Sequence, residues 1–412
     1  MKKTPILRAT RSDWMATGII SAVCAVAVAG AYFTADIRDA ELTRENLPPE
    51  GDVQVLAQVP NALTESFRLP AKQIPGNYRA RVAKGLIISA DDRKVTATQP
   101  DGTTAWTYSR KNDDICSLGT AWDRVVVTYR TGVGCGDTVS IDAATGQYAD
   151  TRSANNSDDV ITVSSNDRVG TLSDARLDLW RSDMVRTIEY GDVEAKQEPD
   201  MQPNEDCVLS SALTRTENVA LTESCPDEPN STWLRLMGAT PKDSRKPEPT
   251  TNVAIQMDGA RLVAIAQEAA AVYLPSNPPQ LRTFDKAGKE IAAATVAESP
   301  AVMNAATPFA PATGDLPHHM TWFDGTRLYL LNPSTLAIQQ TFEDAIGTGI
   351  AVDNRLLMPT QEGIAVVNWT TGDTERTIPV DRGGYDGAVY LSLAGTTIVE
   401  ARGDEYVVLA AS

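Results

Sequence analysis

Most of the chain consists of short runs rich in Val, Ile, Thr and Tyr that alternate with polar positions and are separated by Gly, Asp and Asn turns. Alternation with a period of two is typical of half-buried β-strands. Long stretches with helical periodicity are hard to find beyond residue 50. The pattern therefore predicts an all-β fold.

A strand–turn–strand unit recurs along the chain, and in most copies its turn contains Gly after an Asp or Asn. Segment 138–152 (TVSIDAATGQYADTR) shows the unit most clearly, and segments 96–110 and 281–295 repeat it. Corresponding turn residues are spaced by 41, 39, 104, 47 and 36 positions, at Asp101, Asp142, Arg181, Asp285, Asn332 and Asn368. The spacing of 104 accommodates one divergent unit at 207–238. A period near 40–50 residues with about four strands per unit predicts a β-propeller.

The two ends of the repeat region complement each other. The last segment offers three strands, near 387–393, 396–401 and 405–410, and lacks an outer strand. We expect the isolated strand at 65–70 (ESFRLP) to complete it, because a closed ring leaves no broad exposed sheet edge. This count gives eight blades over residues 61–412, with seven as the alternative because the region 207–250 is irregular.

One segment near the amino terminus departs from the β pattern. Residues 14–33 form a run of 20 positions without a charge, long enough at about 1.5 Å per residue to cross a hydrocarbon core of ~30 Å. Four basic residues precede it, at Lys2, Lys3, Arg8 and Arg11. The positive-inside rule predicts residues 1–13 as a cytoplasmic tail, 14–34 as a transmembrane helix in the cytoplasmic membrane and the propeller outside. A cleaved signal peptide is the alternative, because Ala27-Val28-Ala29 resembles a cleavage site.

Residues 35–60 join this span to the propeller and are predicted to form a stalk. Their first part, 36–50, is polar and compatible with a helix until Pro48-Pro49 stops it.

The cysteines indicate an oxidising compartment. Cys24 lies in the apolar span, and the other four form two separated pairs, Cys116/Cys135 and Cys207/Cys225. An even number of cysteines beyond an export signal predicts structural disulfides. Neither pair has C-x-x-C spacing, which argues against redox catalysis and zinc binding.

Composition narrows the chemistry further. The formal net charge is −17, and so acidic a surface argues against nucleic-acid binding. The two histidines, His318 and His319, are adjacent, so on a strand they point to opposite faces and are poorly placed to share a metal. With no G-x-S-x-G elbow, a serine hydrolase is also disfavoured. We therefore expect no enzyme activity, no cofactor and no metal site.

Two insertions contain apolar side chains at positions predicted to lie on the surface. Residues 226–250 are Pro-rich and polar at both ends and contain Trp233 and Met237, whereas 299–317 contain Met303 and Phe309 in a largely uncharged stretch. Such loops either pack over the blade ends or contact a partner. These four residues are the candidate partner contacts.

The D-x-x-T-G turn and strands such as TAWTYS resemble the PQQ-like (quinoprotein-type) propeller repeat over roughly residues 61–412. With one span, an acidic ectodomain and two cysteine pairs, the chain resembles the single-pass envelope propellers of mycobacteria and corynebacteria. This resemblance implies a role in assembling the mycolate-containing envelope. Quinoprotein dehydrogenases present an indole, a cation and calcium ligands to their quinone, often beside adjacent cysteines, and this sequence has no Cys-Cys pair.

The leading hypothesis is a non-catalytic, membrane-anchored scaffold that docks integral membrane or envelope proteins, such as a transporter or transferase for mycolate-type lipids. One alternative is a binding module whose channel captures a glycan, a lipid headgroup or a cation, marked by an aromatic-lined concavity near the axis. The other is a propeller enzyme, a dehydrogenase or lyase. The sequence leaves the partner, the ligand and the oligomeric state open.

Overall fold

The computed structural model describes residues 9–48, 51, 53–194 and 196–412. Its first element is helix α1 (Arg11–Thr34), whose N-cap Thr10 forms a capping box with Asp13. In the described part, α1 is the one helix long and apolar enough to cross a membrane, a test that a signal sequence near the amino terminus would also pass. Residues 1–8 of the predicted tail lie outside the described residues.

A 3-10 turn (Asp36–Arg38) and two strands follow, β1 (Ala40–Arg44) and β2 (Leu63–Pro70). The next strands of the chain form blades 1 to 4. Blade 1 contains β3 (Arg81–Ala83), β4 (Leu86–Ala90), β5 (Lys94–Thr98) and β6 (Thr104–Arg110). Blade 2 contains β7 (Asp114–Ala121), β8 (Arg124–Thr131), β9 (Gly134–Asp142) and β10 (Tyr148–Ser153). Blade 3 contains β11 (Ile161–Ser164), β12 (Val169–Leu172), β13 (Arg176–Trp180) and β14 (Arg186–Gly191). Blade 4 contains β15 (Val208–Arg215), β16 (Asn218–Ser224), β17 (Thr232–Gly238) and β18 (Thr251–Ile255).

The remaining strands form blades 5 to 8, with one short helix, α2 (Pro300–Met303), between blades 5 and 6. Blade 5 contains β19 (Arg261–Ile265), β20 (Ala269–Leu274), β21 (Gln280–Asp285) and β22 (Glu290–Thr295). Blade 6 contains β23 (Ala312–Asp315), β24 (Met320–Phe323), β25 (Leu328–Leu331) and β26 (Ile338–Phe342). Blade 7 contains β27 (Ile350–Val352), β28 (Arg355–Thr360), β29 (Gly363–Val367) and β30 (Thr374–Pro379). Blade 8 contains β31 (Tyr390–Ala394), β32 (Thr397–Arg402) and β33 (Glu405–Ala411).

These strands form eight antiparallel sheets, which are the eight blades of a propeller. In blade 8 the order is β2-β33-β32-β31, so the strand at 63–70 completes the last blade as its outer strand. The predicted count of eight and the predicted closure by the isolated strand are both confirmed.

The first strand of each blade lies at the centre of the ring, and β3 contacts both β7 and β31. We call the side with the links from the outer strand of one blade to the inner strand of the next the upper face. The side with the hairpins between the first and second strands is the lower face. These two faces and the central channel are the surfaces available for function.

Apolar clusters fill the interfaces between neighbouring blades. Blades 1 and 2 share a cluster around Trp106 and Tyr129, and blades 5 and 6 share one around Tyr273 and Trp322. The other six interfaces have clusters of the same kind. Alternating strands bury one apolar face against each neighbour, which explains why the period-two pattern dominates the sequence.

The repeated turn has a packing role between blades. In the turn after β9, the Asp142 carboxylate accepts hydrogen bonds of 2.8 Å from the backbone N–H and the hydroxyl of Thr145. Gly146 then adopts a φ of +62°, and a Cβ there would stand 2.8 Å from the Trp106 ring of blade 1. The glycine is required because only it allows the turn to approach the indole.

Part of the segment predicted as a stalk belongs to the propeller. β1 pairs antiparallel with β6, from Ala40 opposite Arg110 to Arg44 opposite Trp106, and makes a fifth strand of blade 1. Ala40 and Leu42 pack against the blade 1–2 cluster while Glu41 is exposed. The expectation of a helix-compatible segment is therefore wrong for residues 40–44. Their apolar and polar positions alternate with a period of two, and they pair with the free edge of β6. Pro49 lies outside the described residues.

Both predicted disulfides are present. Cys116 in β7 is bonded to Cys135 in β9, and Cys207 is bonded to Cys225. Each spans a short loop, with sequence separations of 19 and 18. The second one joins the long link before β15 to the end of β16, within the divergent unit.

Removal of the second disulfide should destabilise the protein. We expect the double substitution Cys207→Ser with Cys225→Ser to lower the free energy of unfolding by about 3 kcal/mol, because the unfolded chain gains the entropy of an open loop. Urea denaturation of the full-length protein in detergent measures this. The matched control is Cys24→Ser in the exposed face of α1, which should leave the unfolding midpoint unchanged. Equal midpoints for all three proteins would contradict the prediction.

Candidate functional site: the central channel

The inner strands surround a channel with a cavity volume of about 330 Å³. Every blade contributes at least one lining residue: Arg81, Thr120, Ser164, Thr214, Ile265, Asp315, Ile350 and Ser392. The volume lies at the low end of the range of small-molecule sites. Because residues from all eight blades converge there, this cavity is the candidate site that depends on the complete ring.

Two cationic side chains of the same short segment, Arg79 and Arg81, line the channel. The Nε of Arg81 donates to the Asn77 Oδ1 at 2.9 Å, and the Asn77 side chain donates to the Leu118 carbonyl of blade 2 at 2.8 Å. Arg79 has no hydrogen bond or ion pair within the described part of the chain. Burial lowers the pKa of Arg79, and burial with the nearby Arg79 charge lowers the pKa of Arg81 to about 10. Because arginine stays protonated in proteins, both guanidinium groups are charged at pH 7, and burial makes that charge unfavourable.

A third arginine bridges two blades at the lower end of the channel. Arg215 of blade 4 donates to both carboxylate oxygens of Asp315 of blade 6, at 3.0 and 2.9 Å, and to the Pro333 carbonyl at 3.2 Å. Below this bridge lies a second cavity of about 350 Å³ that shares Ser165, Asn166, Arg215 and Asp315 with the channel. The channel therefore continues to the lower face.

Hydroxyl groups complete the polar lining. Thr214 is 5% exposed, and its Oγ1 is buried without a hydrogen-bond partner in the described structure. The buried Oγ of Ser164 in blade 3 is likewise unpartnered. Buried hydroxyl groups are normally hydrogen-bonded, so these two provide hydrogen-bonding capacity that the protein itself does not use.

The upper end of the channel is covered by the link between blades 5 and 6. The backbone N–H of Phe309 donates to the Ser210 carbonyl of blade 4 at 2.8 Å, and the two segments form a parallel β-bridge between Phe309 and Ser211. The Tyr78 hydroxyl donates to the Ala310 carbonyl at 2.6 Å from the opposite side of the ring. Tyr78 also contacts Tyr390, with ring centroids 5.4 Å apart. The link thus packs over the blade ends, which was one of the two expected alternatives.

The four candidate partner contacts fall into two groups. Phe309 and Met237 are 5% and 2% exposed and belong to the cores of blades 5–6 and 3–4, so their assignment as partner contacts is corrected. Both are apolar residues that the chain covers itself. Met303 is 52% exposed at the end of α2, and Trp233 is partly exposed beside Arg235, whose guanidinium lies 4.2 Å from the ring centroid. These two stay predictions.

The histidines lie on the lower face, where both contact the ring of Trp369 from blade 7, at centroid distances of 5.8 and 5.0 Å. Burial and the neighbouring His318 lower the pKa of His319. Among the described residues, the one group with three possible metal ligands is Cys207, Glu223 and Cys225. Its two cysteines form a disulfide, so their sulfur atoms are not thiolate ligands.

A larger cavity of about 660 Å³ opens on the upper face between blades 6, 7 and 8. Four carboxylates line it, from Glu343, Asp344, Glu362 and Asp386. All four side chains are exposed to solvent. Exposed carboxylates of this kind are well solvated, so they give no sign of a missing ligand.

The channel lining limits the chemistry that the site supports. None of the described lining residues is a tryptophan, and the lining carboxylate, Asp315, is bound by Arg215. These residues do not fit a stacked quinone with its calcium ion. The aromatic-lined concavity expected of a glycan site is also not found among them. Cationic and hydroxyl groups instead favour a small anion.

Sequence reasoning missed Arg79, Arg81 and Thr214. The alternating pair in NYRARV (77–82) was the available signal, since its two arginines stand outside any repeat turn. Nothing local shows, however, that this segment and the end of β15 meet at the axis.

No protein-family model matches this sequence, and no curated protein matches it. The fold is similar to that of solved structures. BamB from Moraxella catarrhalis is 13% identical with a TM-score of 0.48, over 85% of this chain and 100% of that one. A chain of the mitotic checkpoint complex is 12% identical with a TM-score of 0.47, over 90% and 99%. PorZ, a surface component of the type-IX secretion system of Porphyromonas gingivalis, is 11% identical with a TM-score of 0.44, over 82% and 43%. At this level of similarity, nothing about binding or activity transfers to this chain.

Proposed function

We propose that this protein is a non-catalytic scaffold of the cell envelope, anchored by α1 in the cytoplasmic membrane with the propeller on the extracytoplasmic side. The observation that carries the proposal is the β1–β6 pairing. Because β1 follows α1 in the chain and is itself a strand of blade 1, the apolar helix is connected directly to the propeller. The two disulfides support placement in an oxidising compartment. The basic residues before α1 support an inside amino terminus.

The anchor restrains the position of the disc. Five residues separate the end of α1 at Thr34 from the start of β1 at Ala40, so the two points are within about 20 Å of each other. Ala40 lies opposite Arg110, where β6 reaches the upper face. The upper rim of blade 1 is therefore held close to the membrane, and a rigid disc in that position suits docking of an integral membrane protein beside α1. Given the resemblance stated above, we propose a transporter or transferase for mycolate-type lipids as its client.

Crosslinking of the full-length protein in its own membranes tests this placement. Lys72 and Lys111 are exposed on the upper face near blade 1, whereas Lys289 is exposed on the lower side of blade 5. We expect crosslinks from the first two lysines to one stoichiometric membrane protein and none from Lys289. A protein without crosslinked partners, or with crosslinks from Lys289 alone, would contradict the proposal.

The β1–β6 pairing can be broken selectively. The N–H of Glu45 donates to the Ala105 carbonyl and the N–H of Lys111 to the Asp39 carbonyl, so the alternation of an antiparallel pair turns the N–H of Thr43 toward β6 and that of Arg44 away. We expect Thr43→Pro to remove a ladder bond, to accelerate amide hydrogen exchange in residues 104–111 and to reduce partner retention, while the ring stays folded.

The matched control is Arg44→Pro, which places the same residue where no bond to β6 is lost. It should leave both the exchange rates and partner retention near those of the natural protein. If the two proline variants behave alike, β1 does not couple the anchor to the disc.

A further inference from the structure

The channel lining is positively charged, whereas the protein as a whole is negatively charged. The chain has a formal net charge of −17, yet its channel contains Arg79 and Arg81, neither of which forms an ion pair within the described residues. The charge of Asp315 acts on Arg79 only from a distance. Asp315, the acidic residue in this lining, already accepts hydrogen bonds from Nε and Nη2 of Arg215. The channel interior therefore has an excess of two positive charges.

This excess is unfavourable in the empty channel. Burial removes part of the hydration of both arginines and lowers both pKa values, and the nearby charge of Arg79 lowers the pKa of Arg81 further. The charge of Asp315 offsets part of the effect on Arg79. Asn77 holds Arg81 in place from the side of the upper face, and it is a neutral residue that supplies no countercharge. An anion between the two guanidinium groups would remove the repulsion and provide charge-assisted hydrogen bonds.

The unpartnered hydroxyl of Thr214 is an independent sign of a ligand. Thr214 lines the channel, and its buried oxygen has no bond within the described residues, so it can accept or donate a bond that the protein itself does not supply. The neighbouring residue in β15 is Arg215, so the free hydroxyl lies next to the Arg215–Asp315 bridge at the lower end of the channel.

Size and access restrict the ligand. A cavity of about 330 Å³ lies at the low end of the range for small-molecule sites and has ample room for a small anion. The route leads through the lower cavity. Of the carboxylates there, Glu268 is paired with Lys286 and Asp315 with Arg215, so Asp167 is the remaining acidic group among the described residues of the mouth.

We propose that the central channel binds a small phosphomonoester dianion, or inorganic phosphate itself, between Arg79 and Arg81 with a hydrogen bond to Thr214. The charge of a phosphomonoester at pH 7, about −1.5 to −2, matches the excess of two positive charges. Arginine forks bind phosphate oxygens in pairs, and the third oxygen can accept from the hydroxyl. This site is independent of the scaffold proposal, because it requires no partner and no membrane.

Titration calorimetry of the full-length protein in detergent tests the site, with inorganic phosphate and glycerol 3-phosphate as probes at constant ionic strength. We expect saturable binding with one site per chain, and a higher melting temperature in phosphate than in chloride. Malonate, a dicarboxylate, should bind more weakly. Absence of saturable phosphate binding, or tighter binding of malonate, would overturn the assignment.

Two variants place the binding in the channel. The double substitution Arg79→Gln with Arg81→Gln should weaken phosphate binding by at least about tenfold, since two charge-assisted bonds are lost. Thr214→Val removes a hydroxyl that has no partner in the protein, so it should keep the melting temperature in chloride and still weaken phosphate binding. The control, Arg181→Gln, neutralises a surface arginine paired with Asp183 and should bind phosphate normally.

A third probe distinguishes a free phosphate compound from a lipid headgroup as the source of the phosphate group. Binding of glycerol 3-phosphate without binding of dihexanoyl phosphatidic acid indicates a free metabolite, and binding of both indicates a headgroup that reaches the channel from its lower mouth. Unchanged phosphate affinity in both the double arginine variant and Thr214→Val would mean that the ions bind elsewhere on the protein, and the proposal would be wrong.

Discussion

Glu400→Gln should lower the free energy of unfolding by about 3–5 kcal/mol, because it leaves two buried guanidinium groups without their countercharge. Glu400 is fully buried in β32 and accepts hydrogen bonds from Arg382 at 2.8 and 3.1 Å and from Arg402 at 2.7 Å. Arg382 is also bonded to the carbonyl oxygens of Thr360 and Gly363 in blade 7. The carboxylate therefore holds together the interface between blades 7 and 8.

The comparison that isolates burial is Glu375→Gln. Glu375 forms a similar pair with Arg355 at 2.7 Å, but both side chains are about one-third exposed and screened by water, so we expect a much smaller loss of stability. Urea denaturation of the full-length protein in detergent, followed by tryptophan fluorescence, measures both variants. If Glu400→Gln is no more destabilising than Glu375→Gln, the buried cluster does not stabilise the ring.

The parts of the fold that follow from local sequence were predictable. A turn such as Asp142 to Gly146 is formed by its own residues and docks on the preceding blade, so its repetition indicates the number of blades. The strand at 63–70 was recognisable because it had no partner in its own neighbourhood while the last unit lacked an outer strand. Short sequence separation also made the disulfide pairs evident.

What could not be predicted depends on places where distant segments meet. β1 is a short polar segment that becomes a strand only because β6 offers a free edge. Phe309 has the sequence context of an exposed loop residue, and it is buried because its link crosses to Ser210 two blade positions away. The channel residues also come from distant segments. Arg79 and Thr214 are 135 positions apart in the sequence and share a cavity only after the ring has closed.

Removal of β2 should have the largest effect of all, namely loss of the folded ring. β2 pairs with β33 along its whole length, from Leu63 opposite Ala411 to Pro70 opposite Glu405. Phe67 and Leu69 pack against the cluster between blades 8 and 1. Without this strand, β33 becomes an exposed edge beside an open apolar cluster, which favours aggregation.

Two truncations, each exported behind the same unrelated signal peptide, separate the anchor from the closure. Deletion of residues 1–48 removes α1 and β1 and should leave a soluble, folded ring, because blade 1 keeps four strands. Deletion of residues 1–70 also removes β2 and should give an aggregated product without a cooperative melting transition. A folded protein from the second truncation would show that seven complete blades and three strands suffice.

A rescue distinguishes loss of closure from general damage by truncation. The N–H of Ser412 donates to the Ala62 carbonyl at 3.2 Å, so the end of β33 and the start of β2 already stand as in a hairpin. Attachment of residues 61–70 after Ser412 through a short Gly-rich turn should therefore restore the fold of the second truncation, because β2 then reaches the same register from the other end of the chain. The matched control carries the same ten residues in scrambled order and should stay unfolded. If both fusions fold, the identity of β2 is unimportant. If neither folds, closure also depends on the segment 53–60, which both fusions lack and which contacts blade 8 where the Leu56 N–H donates to the Gly395 carbonyl.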